Sequence, residues 1–447
     1  MQKSLKIAVV GSGLVGTLLA IYLKKAGHTV HVFDRSPDIR KIQFSGRSIN
    51  LVMSNRGWKT LKDIGLDEEI KKIGIPVDKR AIHTGDKLNY QYYGKDGEAI
   101  FSLSRGLLNR KMIDLAEAEG VEFFFDHKVW DVTLSDASLH IGETERGEWE
   151  ELKYDKVFGA DGAFSRVRHR MQRQSMFNYS QEFLKIGYKE LNIPANADGT
   201  HKLDKNSLHI WPRGEFMLMA LANPDGSFTC TLFMPHEGAN SFENLKDKET
   251  LVAFFASHFP DTKEVIPNLV EDFFKNPTSY LVTMKCFPWT FEDKVALIGD
   301  ACHAIVPFYG HGMNAGFEDI TILSEIMQKH GDDWETIFKE YEESRKPNAD
   351  AIAELSYRNF MEMSSKTADE KFLLQKKIEK HFSEKHPDKW MPLYSRVTFS
   401  SHPYSEALAM GDFQDNIMKQ VLEMENIETI WDSKEVEEKI ISLLNHK

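Results

Sequence analysis

Apolar positions near the N-terminus form two short runs separated by glycines and by a longer amphipathic stretch. The run from Leu5 to Val10 is rich in β-branched residues, which is typical of a buried strand, and Gly11-Ser12-Gly13 follows it. The pattern then predicts a helix from Leu14 to Ala26 and a second strand from Thr29 to Phe33. Asp34 comes directly after that strand. The order strand, glycine turn, helix, strand and acid predicts an α/β unit.

The glycines of this unit have the spacing GxGxxG at positions 11, 13 and 16. Gly11 permits the tight turn, Gly13 lets the backbone approach a pyrophosphate, and Gly16 lets the helix pack closely on the strand. Asp34 is placed to accept a hydrogen bond from a ribose hydroxyl. The glycines alone are weak evidence, but their register with two strands, a helix and an acid predicts a dinucleotide-binding site.

A second region, from Gln181 to about Cys286, has a different pattern. Between Phe228 and Met234 apolar residues alternate with Thr229 and Thr231, which predicts a strand with one apolar face. Asn223-Pro224-Asp225-Gly226 predicts the hairpin turn before it. We interpret this region as an antiparallel sheet that covers a pocket.

The stretch from Gly299 to Asp319 reads GDACHAIVPFYGHGMNAGFED. An acid follows a predicted strand, a Pro-broken loop comes next, and a helix opens at Met313-Asn314. Free backbone N–H groups at a helix start suit an anion or an electron-rich ring. Asp300 suits a sugar or ribityl hydroxyl. Two such elements, nearly at opposite ends of the chain, predict one long cofactor held at both ends.

Beyond this stretch the pattern is mostly helical, with helices predicted at 333–363, 371–382, 404–424 and 433–444. The predicted fold class is therefore α/β, with a Rossmann-like FAD-binding domain, an inserted antiparallel substrate domain and a C-terminal helical segment. We assign residues 1–76, 98–178 and 287–345 to the first, 77–97 and 179–286 to the second, and 346–447 to the helical region that caps the active site.

Composition narrows the class of protein. The formal net charge of −12 and the absence of a basic stripe argue against a nucleic-acid partner. The sequence contains no run of about 20 uninterrupted apolar residues, so we predict no membrane span. The three cysteines show no metal spacing and indicate a reducing compartment, so we expect a cytoplasmic protein. His303 and His311 are not expected to bind a metal, because no carboxylate stands near them at metal-ligand spacing.

Three segments together resemble the class A flavoprotein monooxygenases, the family of para-hydroxybenzoate hydroxylase. They are GSGLVG at 11–16, ADGAFSRVR at 160–168 and GDACHAIVPFYGHGMNAGFED at 299–319. The resemblance implies bound FAD, with NADPH or NADH as reductant and no separate nucleotide domain. It also implies oxygen transfer from O₂ through a flavin C4a-hydroperoxide to an electron-rich aromatic ring. We expect NADPH as the co-substrate.

A narrower resemblance is to the kynurenine 3-monooxygenase family within that class. It covers the whole chain and is carried by GRSINL at 46–51, the 75–83 stretch, Tyr93-Gly94, 305–319, LSYRNFMEM at 355–363 and MPLYSRVTFS at 391–400. It implies conversion of L-kynurenine to 3-hydroxykynurenine in tryptophan degradation. The chain departs from the family pattern at His311, where the family usually has Gln.

The resemblance also implies the site residues. Arg80 suits the substrate carboxylate, since a guanidinium matches a carboxylate bidentately. The expected substrate contacts are Arg80, Tyr93, Asn359, Tyr394, Pro307 and Phe308. The expected FAD contacts are Gly11, Gly13, Val15, Gly16, Asp34, Arg35, Val52, Arg105, Val129, Asp161, Asp300, Gly312, Met313 and Asn314. No side chain is expected to act as a catalytic acid or base, since the flavin performs the chemistry.

Three alternatives stay open on the residues alone. The same fold can hydroxylate another phenol or an aminobenzoate. Arg80 with Asn359 and Tyr394 discriminates between these substrates and kynurenine, because an amino-acid substrate needs a carboxylate clamp. A flavin-dependent prenyl reductase or an oxidase would need a long apolar tunnel. A non-enzymatic flavin-binding protein would have lost Asp300 or the glycines, and all of these are present. Monomer and homodimer are both compatible with the sequence.

Overall fold

The computed structural model describes residues 3–42, 50–85, 87–94, 97–142, 148–363 and 370–445. Strands within these ranges are numbered in chain order. They are β1 Lys6–Val10, β2 Thr29–Phe33, β3 Leu51–Met53, β4 Ile75–Val77, β5 Lys79–Thr84, β6 Lys87–Tyr92, β7 Ile100–Leu103, β8 Glu122–Phe124, β9 Val129–Thr133, β10 Ser138–Ile141, β11 Glu150–Lys153, β12 Lys156–Gly159, β13 Asn178–Ile193, β14 Ser207–Arg213, β15 Phe216–Ala222, β16 Phe228–Pro235, β17 Ser279–Phe287, β18 Thr290–Phe291 and β19 Val295–Leu297.

The α-helices are numbered in the same way. They are α1 Leu14–Lys25, α2 Asn55–Asp63, α3 Asp67–Lys71, α4 Arg105–Ala118, α5 Arg166–Met171, α6 Lys248–His258, α7 Leu269–Lys275, α8 Asp300–His303, α9 Gly312–His330, α10 Trp334–Met361, α11 Glu370–Lys385, α12 Leu393–Thr398, α13 Tyr404–Val421, α14 Ile427–Ile430 and α15 Lys434–Leu444. The four long C-terminal helices predicted from the pattern are confirmed to within a few residues, and α10 continues through Pro347.

A six-stranded sheet carries the N-terminal unit, in the order β18-β19-β12-β1-β2-β8. β1 pairs in parallel with β2 and β12, and β12 pairs in parallel with β19. The apolar run of β1 is buried, as are β12 and β19. Parallel strands covered by helices explain why these runs are continuously apolar. The predicted Rossmann-like architecture is confirmed.

Two glycines of the first turn are required by close backbone contacts. Gly11 has φ +106°, and a Cβ there would lie 2.5 Å from the carbonyl oxygen of Ala160. A Cβ on Gly16 would lie 2.1 Å from the carbonyl oxygen of Gly11. Any other residue at these positions would push α1 away from β1 and β12, so both glycines serve packing of the turn.

The apolar pattern from Leu152 to Phe158 predicts a single strand, and the structure shows that this prediction is wrong. The structure divides it into β11, which pairs with β10, and β12, which belongs to the six-stranded sheet. Tyr154 and Asp155 form the break between them. The Asp155 carboxylate accepts a hydrogen bond from the Lys6 backbone N–H at 2.7 Å, and the buried Tyr154 hydroxyl lies 2.9 Å from His31 Nδ1. These two contacts let the chain change sheets.

The second large sheet has seven strands in the order β17-β13-β16-β15-β14-β5-β6. It is mixed, because β14 pairs in parallel with β5, so the prediction of a wholly antiparallel sheet is wrong at that pair. The other pairs are antiparallel. Its strands come from the two segments predicted for the substrate domain, whose exact boundaries stay a prediction.

The C-terminal helices form a layer of their own. α13 contacts α10, α12 and α15, and a separate apolar cluster holds α11, α13 and α15 together. A second cluster, which includes Tyr309, Leu355 and Tyr404, joins this layer to the loop before α9. None of the helices in the described ranges is long and apolar enough to cross a membrane.

Candidate active site

One cavity lies between the two large sheets and the C-terminal layer. Its wall includes Gly13 and Val15 from the start of α1, Arg105 from α4, and Asp300 after β19. A Cβ placed on Gly13 would meet no atom within 4 Å, so the missing side chain opens space toward the cavity. A helix N-terminus with open space before it fits a pyrophosphate. The glycine turn is therefore shaped for a dinucleotide.

Asp34 lies at the carboxyl end of β2, beside the glycine turn. Its Oδ2 accepts hydrogen bonds from the backbone N–H and the hydroxyl of Ser12, both at 2.7 Å, and its Oδ1 accepts from the Ser36 N–H at 2.8 Å. These contacts orient the carboxylate and leave lone pairs for a further donor. Arg35 beside it is exposed. The geometry suits a ribose hydroxyl.

Asp34→Ala is expected to weaken FAD binding by about ten- to a hundredfold, because a hydrogen bond to a charged group contributes roughly 1.5–3 kcal/mol. Reconstitution of the apoprotein with FAD, followed by fluorescence, measures the dissociation constant. Asp155→Ala is the matched control, since Asp155 also accepts from a backbone N–H of the same sheet but at the opposite end of β1. Equal FAD affinity in both variants would contradict a ribose contact at Asp34.

The second end of the dinucleotide site is built by the turn before α9. Gly310, Gly312 and Met313 line the cavity, together with Asp300. The first backbone N–H groups of α9 have no acceptor within the helix, so they can donate hydrogen bonds to a group bound in the cavity. Gly310 takes a left-handed conformation, φ +71°, and a Cβ there would lie 3.0 Å from Val52. The turn therefore needs a glycine between the loop and the helix.

Asn314 holds this turn in place with its side chain. Its Nδ2 donates to the carbonyl oxygens of Val52 at 2.7 Å and Gly310 at 2.9 Å, and its Oδ1 accepts from the Ser54 N–H at 2.9 Å. Val52 lines the cavity, whereas the Asn314 side chain does not. The Asn314 amide therefore positions the turn, and only its backbone remains for a bound group.

A cluster of rings and one cation forms the other end of the cavity. Tyr394 stacks between Tyr93 and Tyr309, with ring centroids 5.1 and 5.5 Å away and planes within 16°. The Arg80 guanidinium lies 4.8 Å from the Tyr394 ring and 5.4 Å from the Tyr93 ring. The Nε of Arg80 and the hydroxyl of Tyr93 are buried and make no hydrogen bond within the described part of the chain. Both residues line the cavity, so these donors are available to a bound anion.

Burial raises the pKa of the Tyr93 hydroxyl well above its usual range, and the same cause raises the pKa of Tyr309. Both hydroxyls therefore stay protonated at neutral pH and can donate hydrogen bonds. Pro307, Phe308 and Tyr309 form a short 3-10 turn that lines the cavity. Phe308 packs against Phe233 and Phe360, at centroid distances of 5.0 and 4.4 Å. This apolar turn shields the cavity from water.

Asn359 is close to the cavity but does not line it. Its Nδ2 donates to the Phe308 carbonyl oxygen at 2.7 Å and lies 3.4 Å from the Met363 sulfur. The structure therefore gives the amide a role in holding the 307–309 turn, and a direct contact with substrate stays a prediction. Five of the expected substrate contacts do line the cavity, namely Arg80, Tyr93, Tyr394, Pro307 and Phe308.

Several expected FAD contacts lie outside the cavity wall. Asp161 turns away from it, and its Oδ2 accepts from the Arg166 N–H at 2.6 Å. Val129 is buried in β9. The expected cofactor contacts beyond the wall are Gly11, Gly16, Asp34, Arg35, Val129, Asp161 and Asn314. Of these, Gly11 and Gly16 pack the turn and Asn314 positions the α9 loop. Direct contacts of these seven with a cofactor stay predictions.

Sequence reasoning missed most of the cavity wall contributed by the seven-stranded sheet. In β16, Phe228, Cys230, Leu232 and Met234 belong to an apolar cluster with α6 and α7. The opposite face of the same strand, with Thr229, Thr231 and Phe233, lines the cavity. The alternation in the sequence predicted two faces for this strand, but it did not show which face meets the cavity. Other wall residues that were not among the predicted contacts include Asn50, Leu51, Ile100, Leu208, Met219, Leu221, Ile305 and Met363. Residues 46–49 of the GRSINL segment lie outside the described ranges.

The reason for rejecting a metal near His303 is wrong, because a carboxylate does lie close by. Cys302, His303 and Asp319 place their potential ligand atoms within 4.8 Å of one another. However, Asp319 already accepts from His303 Nε2 at 2.5 Å, from Arg345 Nε at 2.7 Å and from the Gly299 N–H at 3.2 Å. A guanidinium beside the carboxylate disfavours a further cation, so we interpret the group as an ion-pair network.

His311 is fully buried at the start of α9. Its Nδ1 lies 2.8 Å from the Tyr404 hydroxyl, and its Nε2 lies 3.4 Å from the Thr398 hydroxyl. Burial, assisted by the nearby Arg56 charge, lowers the pKa of His311 to about 3. The imidazole is therefore neutral, and it can make polar contacts of the kind that a Gln amide would make at this position.

Comparison with known proteins agrees with this geometry. Residues 4–356 match the family model described as FAD binding domain. The chain is 77% identical over 444 residues to a kynurenine 3-monooxygenase of Flavobacterium johnsoniae, which covers 99% of this chain and 100% of the relative. It is 40% identical over 431 residues to one from Dictyostelium discoideum, which covers 93% of each chain.

Solved structures share the fold at low identity. A 2-methyl-3-hydroxypyridine-5-carboxylic acid oxygenase superposes with a TM-score of 0.69 at 19% identity, covering 83% of this chain and 96% of that one. The tetracycline destructase Tet(51) superposes with a TM-score of 0.60 at 18% identity, covering 89% and 98%. The fold, the FAD-binding match and the full-length relatives agree, and the chain belongs to the kynurenine 3-monooxygenase family of FAD-binding proteins.

Proposed function

We propose that this protein is a FAD-dependent monooxygenase that uses NADPH and O₂ to hydroxylate L-kynurenine to 3-hydroxykynurenine. The observation that carries the proposal is the position of Arg80. Its guanidinium lies beside the stacked rings of Tyr93 and Tyr394 in the same cavity as Gly312 and Met313. No acid in the described ranges is in ion-pair contact with it, although the charge of Glu362 helps to raise the Arg80 pKa. A largely enclosed cation with no acid in direct contact suits the carboxylate of an amino-acid substrate.

FAD would be held along the cavity from the glycine turn to α9. The free N–H groups at the start of α1 would contact the pyrophosphate, and Asp34 and Asp300 would accept from ribose and ribityl hydroxyls. The free N–H groups at the start of α9 would stabilise negative charge on the ring system. When bound, FAD would supply the redox chemistry, in which hydride from NADPH and a proton reduce one oxygen atom of O₂ to water while the other enters the substrate ring.

The protein itself would position the substrate and exclude water from the cavity. Arg80 and Tyr93 would bind the substrate carboxylate, while Phe233, Phe308 and Met363 on the cavity wall would hold the aromatic ring near the flavin end. Fixing the ring in this way lowers the entropic part of the barrier. The 307–309 turn excludes water, which would otherwise divert the oxygen into hydrogen peroxide. The amine on the kynurenine ring activates the adjacent carbon, so 3-hydroxylation needs no additional acid or base.

The decisive test is NADPH oxidation by the purified protein with bound FAD, with and without L-kynurenine, and with the product identified by mass. We expect L-kynurenine to accelerate oxidation and to yield a product that is heavier by one oxygen atom. Anthranilate and 4-hydroxybenzoate serve as controls, since their carboxylate is attached to the ring and they lack the amino-acid side chain that would carry it to Arg80. Oxidation that only a control accelerates would favour a different aromatic substrate, and a protein that takes up no FAD would overturn the proposal.

A further inference from the structure

The first turn of α2 makes an unusual set of contacts with the C-terminal segment. Arg56 in this turn is only 4% exposed. Its Nε donates to the Val397 carbonyl oxygen at 3.1 Å, and its other nitrogens donate to the His402 carbonyl oxygen and to the Glu318 carboxylate. The guanidinium also lies 3.9 Å from the ring centroid of Tyr404. One buried cation thus contacts four partners from two distant parts of the chain.

The neighbouring residue strengthens this link. Asn55 Nδ2 donates to the Phe399 carbonyl oxygen at 2.9 Å. The first turn of α2 therefore donates to three backbone carbonyls within residues 397–402. These carbonyls lie in the last turn of α12 and in the four residues after it, and α12 is the short helix that carries Tyr394 in the cavity wall. We name residues 393–404 the cap segment.

The residues from Val52 to Arg56, which form a corner between β3 and α2, also contact the flavin end of the cavity. The Asn314 side chain makes hydrogen bonds with the backbone of Val52 and Ser54, which lie within the three residues before α2. Glu318 on α9 pairs with Arg56 and also with Arg345 at 2.8 Å. The corner from Val52 to Arg56 is thus held between α9, whose start faces the flavin end, and the cap segment, whose Tyr394 faces the substrate end.

We propose that Arg56 is a positioning residue for the hydroxylation, and that it fixes the cap segment to α9 so that Tyr394 stays stacked in the substrate wall. This inference rests on the proposed function for its substrate. Arg56 contacts no group that would react. It would act through its hydrogen bonds to the Val397 carbonyl oxygen and the Glu318 carboxylate. The stacking of Tyr394 depends on the placement of α12, and Arg56 bonds directly to the last turn of that helix. A wall displaced by about 1 Å can lower catalysis by about a hundredfold.

Arg56→Ala is expected to raise the KM for L-kynurenine about tenfold and to increase the fraction of NADPH oxidation in which O₂ is reduced to hydrogen peroxide, because a loosened wall admits water. FAD affinity should change by less than about threefold, since Arg56 does not line the cavity. Asn55→Ala, at an exposed position, should raise KM by about two- to tenfold, as for the loss of one hydrogen bond. Hydrogen exchange should increase in the cap segment of both variants.

Arg213→Ala is the matched control. Arg213 is partly buried and donates to the carbonyl oxygens of His258 and His83, but it lies outside the cavity wall. Its loss should leave KM, the peroxide fraction and cap exchange unchanged. Unchanged KM and coupling in Arg56→Ala would overturn the inference. If that variant does not fold, unchanged KM in Asn55→Ala overturns it equally. Inactivity of the unsubstituted protein on L-kynurenine would instead refute the proposed function, while the exchange measurement still tests the link.

Discussion

Arg80→Ala is expected to raise the KM for L-kynurenine by about 30- to 1000-fold, since removing one partner of a buried, hydrogen-bonded charge pair costs roughly 2–4 kcal/mol. The Arg80 guanidinium lies close to the Tyr93 and Tyr394 rings, and no acid in the described ranges is in ion-pair contact with it. The substrate carboxylate would supply the missing negative charge. FAD should remain bound, because Arg80 lies at the substrate end of the cavity.

Steady-state kinetics with L-kynurenine as the varied substrate measures this effect. Lys79→Ala is the matched control, because Lys79 precedes Arg80 on β5 but points to the other side of the sheet, where it pairs with Asp78 and Asp204. Arg80→Lys should recover only part of the loss, since an ammonium cannot bind a carboxylate bidentately. A KM for Arg80→Ala within about twofold of that of Lys79→Ala would remove Arg80 from the substrate site.

Asp319→Asn is expected to destabilise the protein by about 3–5 kcal/mol, because it leaves two buried cations without their shared anion. Asp319 is fully buried and accepts hydrogen bonds from both His303 and Arg345. It also accepts from the Gly299 N–H, directly before Asp300. The variant should therefore unfold at a lower temperature and lose FAD more readily. Thermal unfolding followed by flavin fluorescence measures both effects.

The same pair predicts a pH dependence. Burial opposes both charges, but the Asp319 carboxylate raises the pKa of His303, and His303 together with Arg345 lowers the pKa of Asp319. The contribution of His303 is complete below its unfolded pKa of about 6.5 and is lost as the pH rises through the raised folded value. The contribution of Asp319 is complete above its unfolded pKa of about 4 and is lost as the pH falls through the lowered folded value. The pair therefore stabilises most between about pH 4 and 6.5.

Glu340→Gln is the control for Asp319→Asn. Glu340 lies 2.6 Å from His330 and 2.9 Å from Lys329, so it has the same kinds of partner, but its side chain is 38% exposed. An exposed ion pair is screened by water and contributes little, so this variant should change the unfolding temperature little. Melting curves at pH 6 and above the folded His303 pKa should show a smaller pH effect in Asp319→Asn than in the unsubstituted protein. An equal effect would refute the assignment to this pair.

Local pattern was sufficient for the elements that depend on neighbours in sequence. The apolar run of β1, the glycine spacing and the helical period of α1 all act within about 30 residues, and each agrees with the structure. The glycines at 11 and 16 were interpretable because their backbone contacts exclude any Cβ. The substrate residues, by contrast, followed from the family resemblance, since no local period distinguishes Arg80 or Tyr394 from surface residues.

Contacts between distant segments were decided only by the tertiary structure. Tyr93, Tyr309 and Tyr394 stack although up to 301 positions separate them, and Asp319 meets His303 and Arg345 across three helices. The alternation in β16 predicted two faces but not which one meets the cavity. The physical reason is that periodicity specifies how an element presents its side chains, whereas the packing of sheets and helices decides what those side chains meet. For this protein, the sequence determined the dinucleotide turn, and tertiary packing determined the substrate wall and the contacts that hold it.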